Sequence, residues 1–145
     1  MKDRHGEETR GAAGWIARLH VPAKVNDLSP IAQRFIFSLR VVAVYRKAGR
    51  DPLAELTSRL GSITVAVKSL QLVESMAHVW PERVHVQRCC CQILSHDELT
   101  IARALEAIAE NNVDGFDAQL ADLMPSDTRK TIADAAGELI VAEFG

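Results

Sequence analysis

The chain has 145 residues, of which 48% are hydrophobic and 25% are charged, a composition typical of one globular domain with a sizeable core. No apolar run approaches the ~20 residues that a membrane span requires. The charged start, Met1 to Arg10, is not followed by the apolar stretch of a secretory signal. We therefore expect a cytoplasmic protein without a membrane partner.

Charge is distributed unevenly along the chain, although the net charge is only −2. Residues 1–88 contain 14 Lys and Arg against 8 Asp and Glu, a net charge of +6, whereas residues 89–145 contain 3 against 11, a net charge of −8. This asymmetry is consistent with two halves that pack against each other, with association of two chains, or with an anionic partner for the basic half. Two differently solvated faces of one domain would give the same pattern.

The first predicted helix begins at Ser29, a favourable N-cap, with Pro30 at the first helical position, and ends at Gly49. Apolar residues occupy nearly all sides of this helix, which is typical of a central or interface helix. We therefore predict a homo-oligomer that associates through the Ser29–Arg46 helix.

Two more helices are predicted before the cysteines. A short one begins at Pro52 after Asp51 and ends at Gly61. The next runs from Ile63 to Val79, and Pro81 prevents its continuation.

Residues 53–72 also resemble a helix-turn-helix, with glycine at the turn and apolar residues where the helices pack. This alternative predicts nucleic-acid binding, with Arg46, Lys47, Arg50 and Lys68 contacting phosphates. The residues at the start of the would-be recognition helix are mainly apolar, so a helical hairpin in the core competes with this interpretation.

Arg83–Arg88 alternates polar and β-branched residues, which predicts a short extended segment. After the cysteines, Ser95 and Glu98 match the capping-box pattern and predict a helix to about Glu110. Two further helices follow, the first with Asp114 as its cap.

The last predicted helix has Ser126 as its cap and ends near Phe144. The sequence therefore predicts an all-α, single-domain bundle of about six helices, with one extended segment before the cysteine cluster. We expect residues 1–28 to form a partly disordered N-terminal segment and residues 29–145 to form the helical domain.

Cys89, Cys90 and Cys91 are the only cysteines in the chain. In an extended segment alternate residues share a face, so Cys89, Cys91 and His85 would point the same way. Zinc or iron is bound by such side chains, although direct neighbours chelate poorly. The sequence thus allows a metal site at these three residues, but it favours the absence of a cofactor.

Two further interpretations of the cysteines remain open. A redox role requires a reactive thiolate, which Arg88, His96 or the N-terminus of the following helix would favour. Alternatively, the cysteines act as small hydrophobic residues in the core, as free cysteines usually do.

The run Leu60-Gly61, the apolar helix that follows it, Val84-His85-Val86, the three cysteines and Ser95-His96-Asp97-Glu98 together resemble an uncharacterised bacterial family with a Cys-Cys-Cys motif before a capped helix. The resemblance covers roughly residues 31–110. Members often have proline directly after the third cysteine, where this chain has Gln92. The resemblance implies a small helical protein.

No nucleophile elbow, zinc-binding His-Glu-x-x-His helix or glycine-rich phosphate loop is present in the sequence, and we assign no catalytic residue. We expect a protein–protein interaction or regulatory helical module whose partner is itself or another protein. A metal- or redox-responsive thiol protein and a nucleic-acid binder are the alternatives.

Overall fold

The computed structural model describes residues 21–145, and within them it is an all-α bundle. The predicted fold class is therefore confirmed. Six α-helices make up this part of the chain: α1 Pro30–Lys47, α2 Leu53–Leu60, α3 Ile63–Val79, α4 His96–Ala109, α5 Val113–Leu120 and α6 Ser126–Phe144. A short 3-10 helix, Val25–Asp27, precedes them. None of these helices is both long and apolar enough to cross a bilayer.

Three of the helices have a serine at the N-cap position. The hydroxyl oxygen of Ser29 accepts a hydrogen bond from the Ala32 amide, and that of Ser62 accepts one from the Val65 amide. Ser95 forms the predicted capping box with Glu98. Each hydroxyl satisfies an amide that has no partner inside its helix, which explains why these starts are readable from local sequence.

Two predicted caps are wrong. Asn112, not Asp114, caps α5, because its side-chain oxygen accepts a hydrogen bond from the Gly115 amide at 2.8 Å. Ser126 is the first residue of α6 and Pro125 occupies the N-cap position, without a side-chain cap. In each case the N-cap residue lies one or two positions before the predicted cap.

Helix α1 lies at the centre of the bundle and contacts α2, α3 and α4. Its apolar side chains are largely buried within the chain, and Phe35 and Ile36 are among the largest fully buried residues. Only near its C-terminus are apolar residues exposed, at Ala43 and Val44. The surplus apolar surface that motivated self-association through α1 is therefore absent from most of this helix, and the homo-oligomer stays a prediction.

The segment before α1 is ordered from residue 21 onward. The Val25 amide donates a hydrogen bond to the Gln92 carbonyl at 2.8 Å, and the Leu94 amide donates to the Ala23 carbonyl at 2.9 Å. Leu28 is buried in the core. The packed unit thus includes residues before the predicted boundary at 29, while residues 1–20 of the expected disordered segment lie outside the described residues.

Candidate thiol site

The segment between α3 and α4, residues 80–95, is here called the cysteine loop. Residues 83–88 of this loop form neither a helix nor a strand. The predicted extended segment is therefore not paired with a neighbouring strand. The loop is held at its base by an ion pair that links two helices of the core.

This ion pair joins Arg40 of α1 to Glu98 of α4. The Arg40 Nε lies 2.8 Å from Glu98 Oε2, and Arg40 Nη2 lies 3.0 Å from Glu98 Oε1, so the contact is bidentate. The side chains are 3% and 0% exposed. Removing both charges from water costs several kcal/mol per ion, and only good geometry with further hydrogen bonds offsets that cost.

Those further hydrogen bonds come from the cysteine loop. Glu98 accepts from the Ser95 amide at 2.9 Å and from the Gln87 amide at 3.3 Å. Arg40 Nη1 donates to the Cys91 carbonyl at 2.6 Å, and Nη2 donates to the Ile93 carbonyl at 3.4 Å. Within residues 21–145 no buried side-chain nitrogen or oxygen lacks a partner.

A second pair of hydrogen bonds fixes the loop before the cysteines. Ser95 Oγ donates to the His85 carbonyl at 2.6 Å, and the His85 amide donates to Asp97 Oδ2 at 2.7 Å. His85 is therefore anchored to the start of α4 through its amide and its carbonyl, and the cysteines lie between this anchor and the contacts of Arg40 with the Cys91 and Ile93 carbonyls.

The cysteines form an exposed turn. The Cys91 amide donates to the Arg88 carbonyl at 3.0 Å, which places Cys89 and Cys90 at the centre of the turn. Cys89 and Cys90 are exposed, and Cys91 is half-buried. The interpretation of the cysteines as core residues is therefore wrong for this turn.

Cys89 and Cys91 share one environment that Cys90 does not. Both line a small cavity of about 90 Å³ together with Arg40 and the α1 residues Gln33 and Phe37. Cys90 is absent from its lining. The Cys91 sulfur lies 3.5 Å from the Ile93 carbonyl oxygen.

Arg40 supplies fixed positive charge next to these sulfurs. The hydrogen bond to Glu98 raises the pKa of Arg40, burial opposes this effect, and negative charge on Glu98, Cys91 and Cys89 raises the pKa further. The guanidinium therefore remains protonated, and its interaction with a thiolate at Cys91 or Cys89 is attractive.

The predicted metal ligands do not come together. Within residues 21–145 no group of three or more His, Cys, Asp or Glu side chains is arranged to hold a metal ion. His85 is exposed and contributes only its backbone to the network, whereas Cys89 and Cys91 face Arg40. A cationic guanidinium beside the thiols also disfavours a second cation at this position.

Two of the predicted nucleic-acid contacts already have carboxylate partners. Arg46 pairs with Glu74, Lys68 lies 3.2 Å from Glu138, and the Arg50 guanidinium lies 5.3 Å from the centre of the Tyr45 ring. Lys47 is exposed next to Arg46 at the end of α1. Two of the four cations are thus already neutralised by carboxylates of the same chain.

Helices α2 and α3 are joined by a short turn in which Gly61 has φ +80°. Helix α3 makes its most extensive contacts with α6, a helix of the acidic half of the chain. A recognition helix presents polar and basic side chains to the nucleic acid, whereas the exposed positions of α3 include Gln71, Glu74 and His78 and no Lys or Arg.

Sequence reasoning overlooked Arg40. The signal that could have identified it is an arginine surrounded by apolar residues in a helix that is otherwise buried, because such a charge needs a buried partner. Glu98 was identified only as part of a capping box, a local role that hides its pairing with a residue 58 positions away.

No family model, curated protein or solved structure matches this chain.

Proposed function

We propose that the protein is a thiol-responsive regulatory module in which Cys89 and Cys91 are the reactive pair. The observation that carries the proposal is that these two thiols line the same small cavity as the Arg40 guanidinium, while Cys89 is exposed to solvent. Thiol–disulfide exchange needs one thiol that attacks and a second thiol that resolves the mixed disulfide.

The reaction we propose is thiol–disulfide exchange with a small-molecule disulfide such as oxidised glutathione. The thiolate of one cysteine attacks a sulfur of the disulfide, forms a mixed disulfide and releases one glutathione thiolate. The second cysteine, as a thiolate, attacks the mixed disulfide and releases the other glutathione. The products are a Cys89–Cys91 disulfide and two reduced glutathiones, so two electrons and two protons pass from the protein to the small molecule.

Oxidation would act on the core through Arg40. A disulfide between residues two positions apart closes a tight ring, and its geometry restricts the backbone of the intervening residues. The Cys91 carbonyl, which accepts a 2.6 Å hydrogen bond from Arg40, directly follows that ring along the chain. A shift of this carbonyl weakens the contact between the cysteine loop and the Arg40–Glu98 pair.

Mass spectrometry of the intact protein during titration with oxidised glutathione tests this proposal. The wild type and the matched control Cys90→Ser are expected to lose the mass of two hydrogens. The double variants Cys89→Ser/Cys90→Ser and Cys90→Ser/Cys91→Ser keep one thiol each and are expected to stop at an adduct that contains one glutathione, because the resolving thiol is missing.

Two results would contradict the assignment. Loss of the internal disulfide in Cys90→Ser would show that adjacent cysteines pair instead. Equal reaction rates for the wild type and an Arg40→Gln variant that retains its helical circular dichroism would show that the guanidinium does not activate the thiols.

A further inference from the structure

A second cavity lies between α1, α3 and residues 83–86 of the cysteine loop. Its volume is about 300 Å³. The buried side chains of Leu39, Val42 and Val73 form its floor. Val84 and Val86 of the cysteine loop form one wall.

The rim of this cavity is positively charged. Arg46, Lys47 and Arg83 all line it, and no carboxylate does. Arg46 is paired with Glu74, which lies outside the lining. Within residues 21–145, Lys47 and Arg83 form no ion pair with a carboxylate.

We propose that this cavity binds a small amphipathic carboxylate, with its hydrocarbon chain against the valine and leucine floor and its carboxylate at Lys47 and Arg83. Apolar lining with a few charged groups at one side is the usual construction of a small-molecule site, and the volume lies at the lower end of the range of about 300–1,000 Å³. A carboxylate forms charge-assisted hydrogen bonds with both cations. A cationic ligand of the same length would be repelled by the rim.

The alkyl stems of Lys47 and Arg83 also suit such a ligand. Long basic side chains cover apolar surface with their methylene groups while their charged ends remain in water. A hydrocarbon chain that enters the cavity therefore meets apolar atoms first and places its anionic end where the two charges lie. Neither residue belongs to the thiol site, so this proposal does not depend on the thiol chemistry.

Isothermal titration calorimetry with octanoate, and with octylammonium as the matched cation, tests the site. We expect octanoate to bind with one site per chain and octylammonium to bind more weakly. The double variant Lys47→Gln/Arg83→Gln should weaken octanoate binding by about tenfold or more. The double variant Lys24→Gln/Lys130→Gln, which removes two exposed charges elsewhere, should leave binding unchanged.

The hydrocarbon half of the site is tested by Ala77→Phe. Ala77 lines the cavity at an exposed position of α3, so a larger side chain there fills the cavity without disturbing the core, and helical circular dichroism should be retained. We expect this variant to lose octanoate binding. Chemical-shift changes of the Val84 and Val86 amides on addition of octanoate would place the ligand in this cavity.

Three outcomes would overturn the proposal. Binding of octylammonium with the affinity of octanoate would make the interaction purely apolar. The absence of both heat and amide chemical-shift changes at millimolar octanoate would show that the cavity does not bind it. Shifts confined to the groove between α3 and α6, which is lined by Lys68, Glu138 and Val141, would place the ligand at a different site.

Discussion

Arg40 and Glu98 are the two residues on which the cysteine loop depends. Their charges are buried. Each hydrogen bond of the two side chains joins them to each other or to the main chain of the cysteine loop. An arginine in an apolar helix is visible in the sequence, but its partner is not, because 58 residues separate the two and no local pattern connects them.

Replacing Arg40 alone with methionine should therefore destabilise the protein by about 3–5 kcal/mol, because it leaves the Glu98 carboxylate buried without its counter-charge. The double variant Arg40→Met/Glu98→Gln should recover a substantial part of this loss, since glutamine keeps an acceptor for the Ser95 amide. Urea unfolding of the two single variants and the double variant measures the coupling. A loss below about 1 kcal/mol in Arg40→Met would contradict a buried charge pair.

Helix ends are the features that local sequence predicts well in this chain. The starts of α1, α3 and α4 follow from Ser29, Ser62 and Ser95, because each cap bonds within three residues. The start of α1 has a second, long-range acceptor that no cap pattern indicates. Glu106 of α4 accepts a hydrogen bond from the Ser29 amide at 2.7 Å.

Glu106 makes the docking of α1 on α4 sensitive to acid. Burial raises the pKa of Glu106, but hydrogen bonds from Ser29 and from Arg103 outweigh burial, and the net pKa lies below its ordinary value. A lowered pKa means that the stabilising contribution is complete above the unfolded pKa of about 4.3 and is lost as the pH falls through the folded pKa.

Glu106→Gln should accordingly reduce stability by about 1 kcal/mol near neutral pH, because a charge-assisted hydrogen bond becomes a neutral one. The difference from the wild type should shrink as the pH is lowered from about 6 to about 3, because the wild-type carboxyl is then protonated as well. Urea unfolding at a series of pH values measures this difference. A constant difference across the series would rule out titration of Glu106 as its source.

At the scale of the whole molecule, the uneven charge of the sequence reappears as contacts between its two halves. Arg34 pairs with Glu143 at 2.7 Å, Arg40 pairs with Glu98, and Lys68 pairs with Glu138. The sequence indicated this association as one of several alternatives, but it could not select the pairs. Their choice depends on the packing of α1 and α3 against α4 and α6, which only the folded chain brings together.

The exposed apolar residues favour self-association at the end of the bundle formed by α3 and α6. Val141 and Phe144 are 70% and 76% exposed there, more than Val44 of α1 at 53%. Sedimentation velocity at micromolar concentration should show an oligomer that Val141→Glu dissociates and Val44→Glu does not. The reverse result would return the interface to α1, and a monomer at all concentrations would exclude both.

The hydrogen bonds from Arg40 reach the main chain of the cysteine loop, at the carbonyls of Cys91 and Ile93, and not its side chains. Every amino acid supplies such a carbonyl, so the attachment tolerates exchange of the side chains it carries. The side chains of the turn can therefore be exchanged while its main-chain attachment to Arg40 is kept. Short peptides of other chemistry, such as an epitope or a fluorophore-binding tag, should be displayed there with the helical scaffold intact.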